Sequence, residues 1–239
     1  MKKVQYLILI IISVFLTVFS IPLLFPQLSL LLQSAIINYH SPKIVSESPL
    51  PKAIKKCDWE SVKLLSLNSI IIGSIRDSPE YVGAILVPSL NMNVPLANYT
   101  DNGTYTFGAG MLEPHYISSN SHLVIGAHNL GHKSCSALFT PLAFHSLTGR
   151  KVIITNFKIA KEYKIESKQV ISPSDVEKPF EGSSDSISLI TCTSNNKKRI
   201  LINAKLIKQL SVNKLNNQVQ NAIQQKYQIN AVDKIHLNN

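Results

Sequence analysis

The sequence predicts an all-β domain carried behind an N-terminal transmembrane helix. Three observations lead there. No residue from Val4 to Pro42 carries a formal charge, and the stretch 6–25 is almost wholly aliphatic or aromatic. Beyond residue 70 the chain breaks into short apolar or alternating runs separated by turn residues, the pattern of a barrel or a sandwich. No repeat with a period of roughly 20–50 residues is present, which removes solenoids and propellers.

The N-terminal run is the first element. About 20 apolar residues at 1.5 Å rise cross a hydrocarbon core of ~30 Å, whereas a secretory apolar region needs only ~7–15. A cleaved signal peptide would share the charged start, Lys2 and Lys3, but no small-residue cleavage pattern follows the run. Residues 1–39 are therefore expected to form an uncleaved anchor. Lys43, Lys52, Lys55 and Lys56 follow it, mostly beyond the ~15–20 residues over which flanking charge sets orientation. The expected topology is a single pass through the cell membrane, with the N-terminus cytoplasmic and the rest of the chain extracellular.

Residues 40–56 contain Pro42, Pro49 and Pro51 among Ser and Lys, a composition that resists helix and sheet and reads as a stalk. Asp58 is placed to cap a short helix over 59–65. About eight or nine strands follow, at 70–73, 84–87, 94–96, 104–107, 122–125, 151–155, 163–171, 186–191 and 199–206. A hairpin is expected at 157–160, and a helical stretch around 136–147 is interrupted by Pro141. Residues 57–208 make one domain by the rule of ~100–200 residues, long enough to bury a core without disulfides or structural metals. The Asn- and Gln-rich tail, 209–239, sets Val212, Leu215, Val219, Ala222 and Ile223 at helical spacing. A helix packed on the barrel is the plain reading of that tail, with disorder and an interfacial helix as alternatives.

A net charge of +10 raises the question of nucleic acid. The lysines are dispersed, however, and no helix-turn-helix, RNP or zinc-finger pattern accompanies them, so none is expected as a partner. A basic extracellular domain beside anionic lipids and wall polymers accounts for the same charge.

Chemistry is carried by three residues. Cys192 closes the apolar run Ser188-Leu189-Ile190-Thr191-Cys192, where a strand would deliver it to a barrel rim. Alone, such a cysteine is usually a small buried hydrophobe. His128 leaves the run Val124-Ile125-Gly126-Ala127 in the same way. A cysteine nucleophile attacks as thiolate, and a histidine can both favour that form and protonate a leaving amine. Arg199 opens the next apolar run across the polar turn 193–198, so a hairpin could set it beside Cys192. There its guanidinium could stabilise an oxyanion and bond substrate carbonyls, a task for which lysine is no substitute.

These residues resemble the signatures of a known family. Leu189-Ile190-Thr191-Cys192 resembles the sortase motif T-L-x-T-C, Ala127-His128-Asn129 resembles the family's histidine motif, and Arg199 stands at the signature arginine's place. The resemblance extends to Ile85-Leu86-Val87-Pro88, Phe107-Gly108-Ala109-Gly110 and Pro173-Ser174-Asp175-Val176, covering roughly 70–206. An N-terminal anchor, no C-terminal span and no aromatic lid motif resemble class A. The resemblance implies an eight-stranded sortase β-barrel and a cysteine transpeptidase that cleaves LPxTG-type signals of surface proteins between Thr and Gly. The acyl group would pass to a lipid II or peptidoglycan stem-peptide amine. It implies His128, Cys192 and Arg199 as catalytic residues, with Thr191, Ile190 and Val176 binding the substrate. Ser188 departs from the motif's Thr, and Gly126-Ala127 inverts the usual Ala-Gly. Some members bind calcium through clustered carboxylates, but acidic residues here are scattered, and no metal or other cofactor is expected.

Other readings remain at this point. His128, His132 and Cys135 form an H-x3-H-x2-C pattern with three of the four ligands a structural zinc needs. Cys57 and Cys135 could pair outside the cell, leaving Cys192 free. A papain-like wall hydrolase would place Cys before His, the reverse of this chain, and an L,D-transpeptidase would carry S-H-G-C. An anchored, non-enzymatic β-domain adhesin would leave the Cys192 constellation as coincidence.

Overall fold

The computed structural model describes residues 2–47, 64–75 and 79–228. Two helices, α1 (Lys2–Leu24) and α2 (Pro26–Tyr39), precede a short strand β1 (Lys43–Ile44) and a helix α3 (Leu67–Ile75). Then come β2 (Glu80–Tyr81), β3 (Gly83–Val87), β4 (Met92–Ala97), α4 (Asn102–Phe107), β5 (Ala109–Met111), β6 (Leu123–Gly126) and α5 (Thr140–Phe144). β7 (Lys151–Thr155), β8 (Ile159–Ile171), β9 (Ser186–Cys192), β10 (Arg199–Ser211) and α6 (Asn217–Tyr227) complete the order. Eight strands close into a barrel in the sequence β10-β8-β7-β3-β4-β5-β6-β9, with β9 pairing back to β10.

Why so many strands read as continuous apolar runs is clear from where their two faces go. Successive strand side chains point to opposite faces. Leu123, Ile125, Ile187, Leu189, Ile200 and Ile202 fill the interior, while Val124, Ile190 and Leu201 build a second apolar layer outside it with Leu112 and Ile171. Ala84, Leu86, Ile153 and Ala160 form a third layer, covered by Val212, Leu215, Val219, Ile223 and Tyr227 of the tail. α6 is capped by Asn216, whose side chain accepts from the Val219 N–H at 2.9 Å. It is pinned at its other end where Tyr227 donates to Asn93 Oδ1 at 2.6 Å and Asn93 Nδ2 donates to the Ala222 carbonyl at 2.9 Å.

Two expected strands are helices. Residues 70–73 lie in α3, and 104–107 lie in α4. Each helix starts at a reciprocal cap: the Ser66 and Ser69 hydroxyls accept from each other's N–H, and Asp101 and Thr104 do the same. Such a cap satisfies otherwise unpaired donors and outweighs the β preference of Ile, Thr, Tyr and Phe. β5 was not expected, since Ala109-Gly110-Met111 has neither length nor β-branched residues. Of the helix expected over 59–65, residues 59–63 lie outside the described residues, and Leu64 and Leu65 are not helical.

The segment read as a stalk is tied to the domain over its described part. β1 pairs in parallel with β2, and Glu47 accepts from the Ile117 N–H at 2.6 Å and Asn156 Nδ2 at 3.1 Å. α2 also belongs to the packed structure, with Ile37 in the barrel's core cluster and Ser34 Oγ accepting from the Ser136 and Ala137 N–H groups. α1 is helical over 23 residues, and its described side chains from Val4 to Val18 are exposed. Among the described residues no helix is long and apolar enough to cross a membrane. The expectation of a span over 6–25 therefore rests on its sequence.

The α6 contacts predict that the tail is part of the cooperative unit. Ile223→Ala should cost about 2–5 kcal/mol and Tyr227→Phe about 0.5–1.5 kcal/mol. Both should appear as a lower urea midpoint at unchanged m-value. A midpoint that does not move in Ile223→Ala would mean the helix is only loosely attached.

Candidate active site

β6 and β9 run parallel, pairing Val124 with Ser188 and Gly126 with Ile190, so both leave the barrel at the same end. His128 follows the end of β6 by two residues, and β9 ends on Cys192. Side-chain bonds hold the two exits together. Thr191 Oγ1 donates to the Ala127 carbonyl at 2.8 Å, and Asn129 Nδ2 donates to the Cys192 carbonyl at 2.9 Å. Asn129 Oδ1 in turn accepts from the Gly131 N–H at 2.9 Å, and Phe139 N–H donates to the His128 carbonyl at 3.1 Å. The loop carrying His128 is thus fixed at several points.

Arg199 arrives by the hairpin. β10 returns antiparallel with Arg199 directly opposite Cys192. The turn between them is closed by the Thr193 N–H bonding the Lys198 carbonyl at 3.0 Å, with Asn196 in the left-handed region at φ 59°. Arg199 Nη1 donates to the Asn196 and Lys198 carbonyls at 3.2 and 3.3 Å.

His128, Cys192 and Arg199 line one cavity of about 270 Å³ together with Gly126, Ala127, Ile190, Thr191 and Asn196. Tyr105 of α4 and Leu64 complete the lining. The Tyr105 ring meets His128 edge-on at 5.5 Å between centroids. A Cβ on Gly126 would lie 2.1 Å from the Tyr105 hydroxyl oxygen, so only glycine leaves room for Tyr105 at the cavity floor. A nucleophile, a proton carrier and a cation over an apolar floor can together perform acyl transfer.

A family model described as the sortase domain matches residues 85–207, more than half of the 239-residue chain. The chain belongs to the sortase family. Among curated proteins it is 28% identical over 203 residues to sortase A of Streptococcus agalactiae serotype III (strain NEM316), covering 81% of this chain and 82% of that one. It is 26% identical over 169 residues to sortase A of Listeria monocytogenes serovar 1/2a (strain ATCC BAA-679 / EGD-e), covering 67% and 75%. In fold, the Listeria monocytogenes sortase A structure superposes with a TM-score of 0.51 at 21% identity, covering 63% of this chain and 99% of that chain. Membership of the family makes this chain a cysteine transpeptidase, and the curated relatives it matches at 25–28% identity are all sortase A proteins, the class it is similar to.

Of the site residues expected from sequence, the sortase fold gathers His128, Cys192, Arg199, Thr191 and Ile190 at one cavity. Thr191 is buried and its hydroxyl is committed to Ala127, so it acts by joining the His128 loop to the cysteine strand. Val176 does not line the cavity; it is 42% exposed on the connection after β8. Tyr105, Asn129, Asn196 and Leu64 were given no role from sequence. Asn129 is the last residue of the histidine motif and Tyr105 lies in a stretch whose side chains favour strand, while Leu64 approaches from a distant segment with no local signal. The H-x3-H-x2-C pattern does not assemble: Cys135 Sγ faces the Leu30 carbonyl at 3.5 Å, and among the described residues no three His, Cys, Asp or Glu gather around a point. Cys57 lies outside the described residues, so its pairing with Cys135 has no geometry to judge it by.

Burial sets the resting charge state of this site. It lowers His128 from 6.5 to about 4, and it pushes the Cys192 thiol up, with the Arg199 charge pulling it partly back. Near neutral pH the buried pair therefore rests as imidazole and thiol. Because the unfolded chain takes up the His128 proton near 6.5 while the folded chain resists until about 4, stability is full above 6.5 and falls as pH drops through that window. The loss should be on the order of 3 kcal/mol. Denaturant titrations at several pH values should show this slope in the parent chain and a shallower one in His128→Asn, where the half-buried His40 still contributes. An equal slope in both would assign the acid sensitivity elsewhere.

Proposed function

We propose that Cys192 is the nucleophile, His128 the proton carrier and Arg199 the oxyanion donor of a transpeptidation that cleaves LPxTG-type signals of surface proteins between Thr and Gly. The single observation behind this reading is the shared cavity in which the three residues meet over the apolar floor of Gly126, Ala127 and Ile190. As the substrate displaces water, the Cys192 proton passes to His128, and Sγ attacks the Thr carbonyl carbon. Arg199 leaves the turn carbonyls of Asn196 and Lys198 to bond the oxyanion, adding positive charge in a water-poor site where it counts most. Collapse breaks the C–N bond, and His128 delivers its proton to the departing Gly amine, leaving a thioester. Neutral again, His128 accepts a proton from the incoming amine, which attacks the thioester and releases the thiol.

The acceptor in this reading is the stem-peptide amine of lipid II or a related wall precursor. The apolar run of α1 anchors the enzyme in a single pass, N-terminus cytoplasmic, with the catalytic domain outside the cell. Residues 1–39 serve as that anchor, 40–56 connect it, 57–208 hold the barrel and 209–239 form the tail. Ile190 faces the sorting signal's apolar residues.

Cys192→Ala should abolish turnover, while Cys57→Ala and Cys135→Ala retain most of it. Arg199→Lys should lower kcat roughly 10²–10³-fold although the charge is kept, since an ammonium cannot reproduce the planar fork. Comparable loss in all three cysteine variants, or a near-normal kcat in Arg199→Lys, would overturn these assignments.

Transfer and hydrolysis share the nucleophile and differ in what resolves the thioester. An enzyme built for transfer orients the amine beside His128, so that the amine outruns water by orientation rather than concentration. An LPxTG peptide supplied with a Gly-type or stem-peptide amine should give mainly ligated product and faster donor consumption than without it. Equal donor loss in both cases, with only free acid formed, would make the chain a peptidase towards this donor.

A further inference from the structure

A helix docked on a water-soluble domain turns its apolar face inward and its polar face to solvent. α2 satisfies only half of that rule: Leu30, Ile36 and Ile37 pack on the core, but the same inward face also buries polar residues and a second apolar stripe is left outside. Gln33 and Ser34 are buried against the domain, with Ser34 Oγ accepting from two backbone N–H groups and Asn38 Nδ2 donating to Ser136 Oγ at 2.8 Å. Ile37 is the one fully buried apolar residue of the helix. Outward stand Leu28, Leu31, Leu32 and Ala35, spaced i, i+3, i+4 and i+7 on a single stripe that continues to Tyr39.

α3 packs beside α2 and extends the same surface. Its Ile71, Ile72 and Ile75 are exposed, Ile75 by 81%. Neither helix contains Asp, Glu, Lys or Arg. The surface is also continuous with α1, from which α2 is separated only by the exposed Phe25. Contiguous apolar surface without charge marks a contact site, and its partner here is read from what adjoins it.

We infer that the outward face of α2 and α3 is immersed in the interfacial layer of the lipid bilayer, on the side where α1 emerges, and holds the catalytic barrel against the membrane surface. This rests on the anchoring of α1 proposed above. A lipid surface fits better than a second protein copy because the stripe runs directly on from α1, carries no charge to specify a protein partner, and ends on Tyr39, an aromatic of the kind that sits at headgroup level. The docking also bears on the active site. α2 is bonded to residues 136 and 137, near Phe139, whose N–H holds the His128 carbonyl. His40, just after α2, stacks at 3.9 Å on Phe107 of α4, the helix that supplies Tyr105 to the cavity. A barrel held in this way keeps its cavity within reach of an amine carried on a membrane lipid.

The test uses the full chain in vesicles of phosphatidylcholine and phosphatidylglycerol. Its one tryptophan is removed as Trp59→Phe, and single reporters are introduced as Leu9→Trp, Leu31→Trp, Ile75→Trp and, on the barrel, Ile207→Trp. Lipids brominated near the headgroup or near the acyl terminus then quench by depth, and turnover of a soluble donor peptide verifies the fold of each variant. The expected result is deep quenching at position 9, shallow quenching at 31 and 75 several-fold stronger than at 207, and little quenching at 207. Quenching at 9 alone leaves the anchor standing and overturns the inference. Quenching at 31 and 75 without 9 supports the interfacial face and sinks the anchor. Protection of 31 and 75 that depends on protein concentration and not on brominated lipid would assign the face to a second copy and overturn the proposal.

Discussion

Everything at the site depends on two adjacent strands running parallel. β6 and β9 pair with Gly126 opposite Ile190, and because both point the same way, the chain leaving each one emerges at the same rim. An antiparallel pair would have sent His128 and Cys192 to opposite ends of the barrel. Parallel pairing fixes the neighbourhood, and the bonds from Thr191 to the Ala127 carbonyl and from Asn129 to the Cys192 carbonyl fix it further. Gly126 belongs to the same constraint, since any Cβ there would displace Tyr105 from beneath the site. The antiparallel return of β10 then needs only a short turn to set Arg199 opposite Cys192.

This placement has an electrostatic consequence. Burial disfavours both charged partners, lowering His128 and raising Cys192. The reactive ion pair is therefore not the resting state of the pocket. Arg199 opposes the burial of the thiol, but its guanidinium rests on the carbonyls of its own turn. A resting neutral pair protects the thiol from oxidants and stray electrophiles, since reactivity follows the thiolate. In the proposed reaction activation falls to the substrate, whose developing oxyanion would give Arg199 a better acceptor than the Asn196 and Lys198 carbonyls.

How much of this could be read in the sequence depended on whether a signal was local. The strands that bury both faces announced themselves as apolar runs, and 151–155 matches β7 residue for residue. The three chemical residues were legible because each sits at the boundary between an apolar run and polar turn residues. Helices α3 and α4 were misread because Ile70-Ile71-Ile72 and Thr104-Tyr105-Thr106-Phe107 favour strand by side chain, while Ser66–Ser69 and Asp101–Thr104 cap them in less familiar pairings than Ser or Thr with Glu. Thr191 was legible as a site residue but its action was not, because the acceptor of its hydroxyl lies 64 residues away. Val176 shares a motif with its surroundings, yet it is exposed on the connection after β8 and is not among the residues lining the cavity.

The N-terminal region shows the same limit in another form. Composition alone separates an apolar run from a polar, Pro-containing segment. What composition does not contain is direction. α2 lies within the uncharged stretch and looks like the end of a span, but Ser34 and Asn38 turn to the domain, which supplies two N–H groups and a hydroxyl to meet them, and Gln33 is buried beside them with its amide on Ser29 of the same helix. A helix entirely within lipid would leave those groups to find partners within the bilayer, and a helix in water would leave its leucines exposed. Seated between the barrel and a membrane surface, both faces are satisfied. On the inferred docking, the contacts that order α2 would also limit how far the cavity stands from the bilayer, linking the packing of an otherwise peripheral helix to the supply of a lipid-borne acceptor.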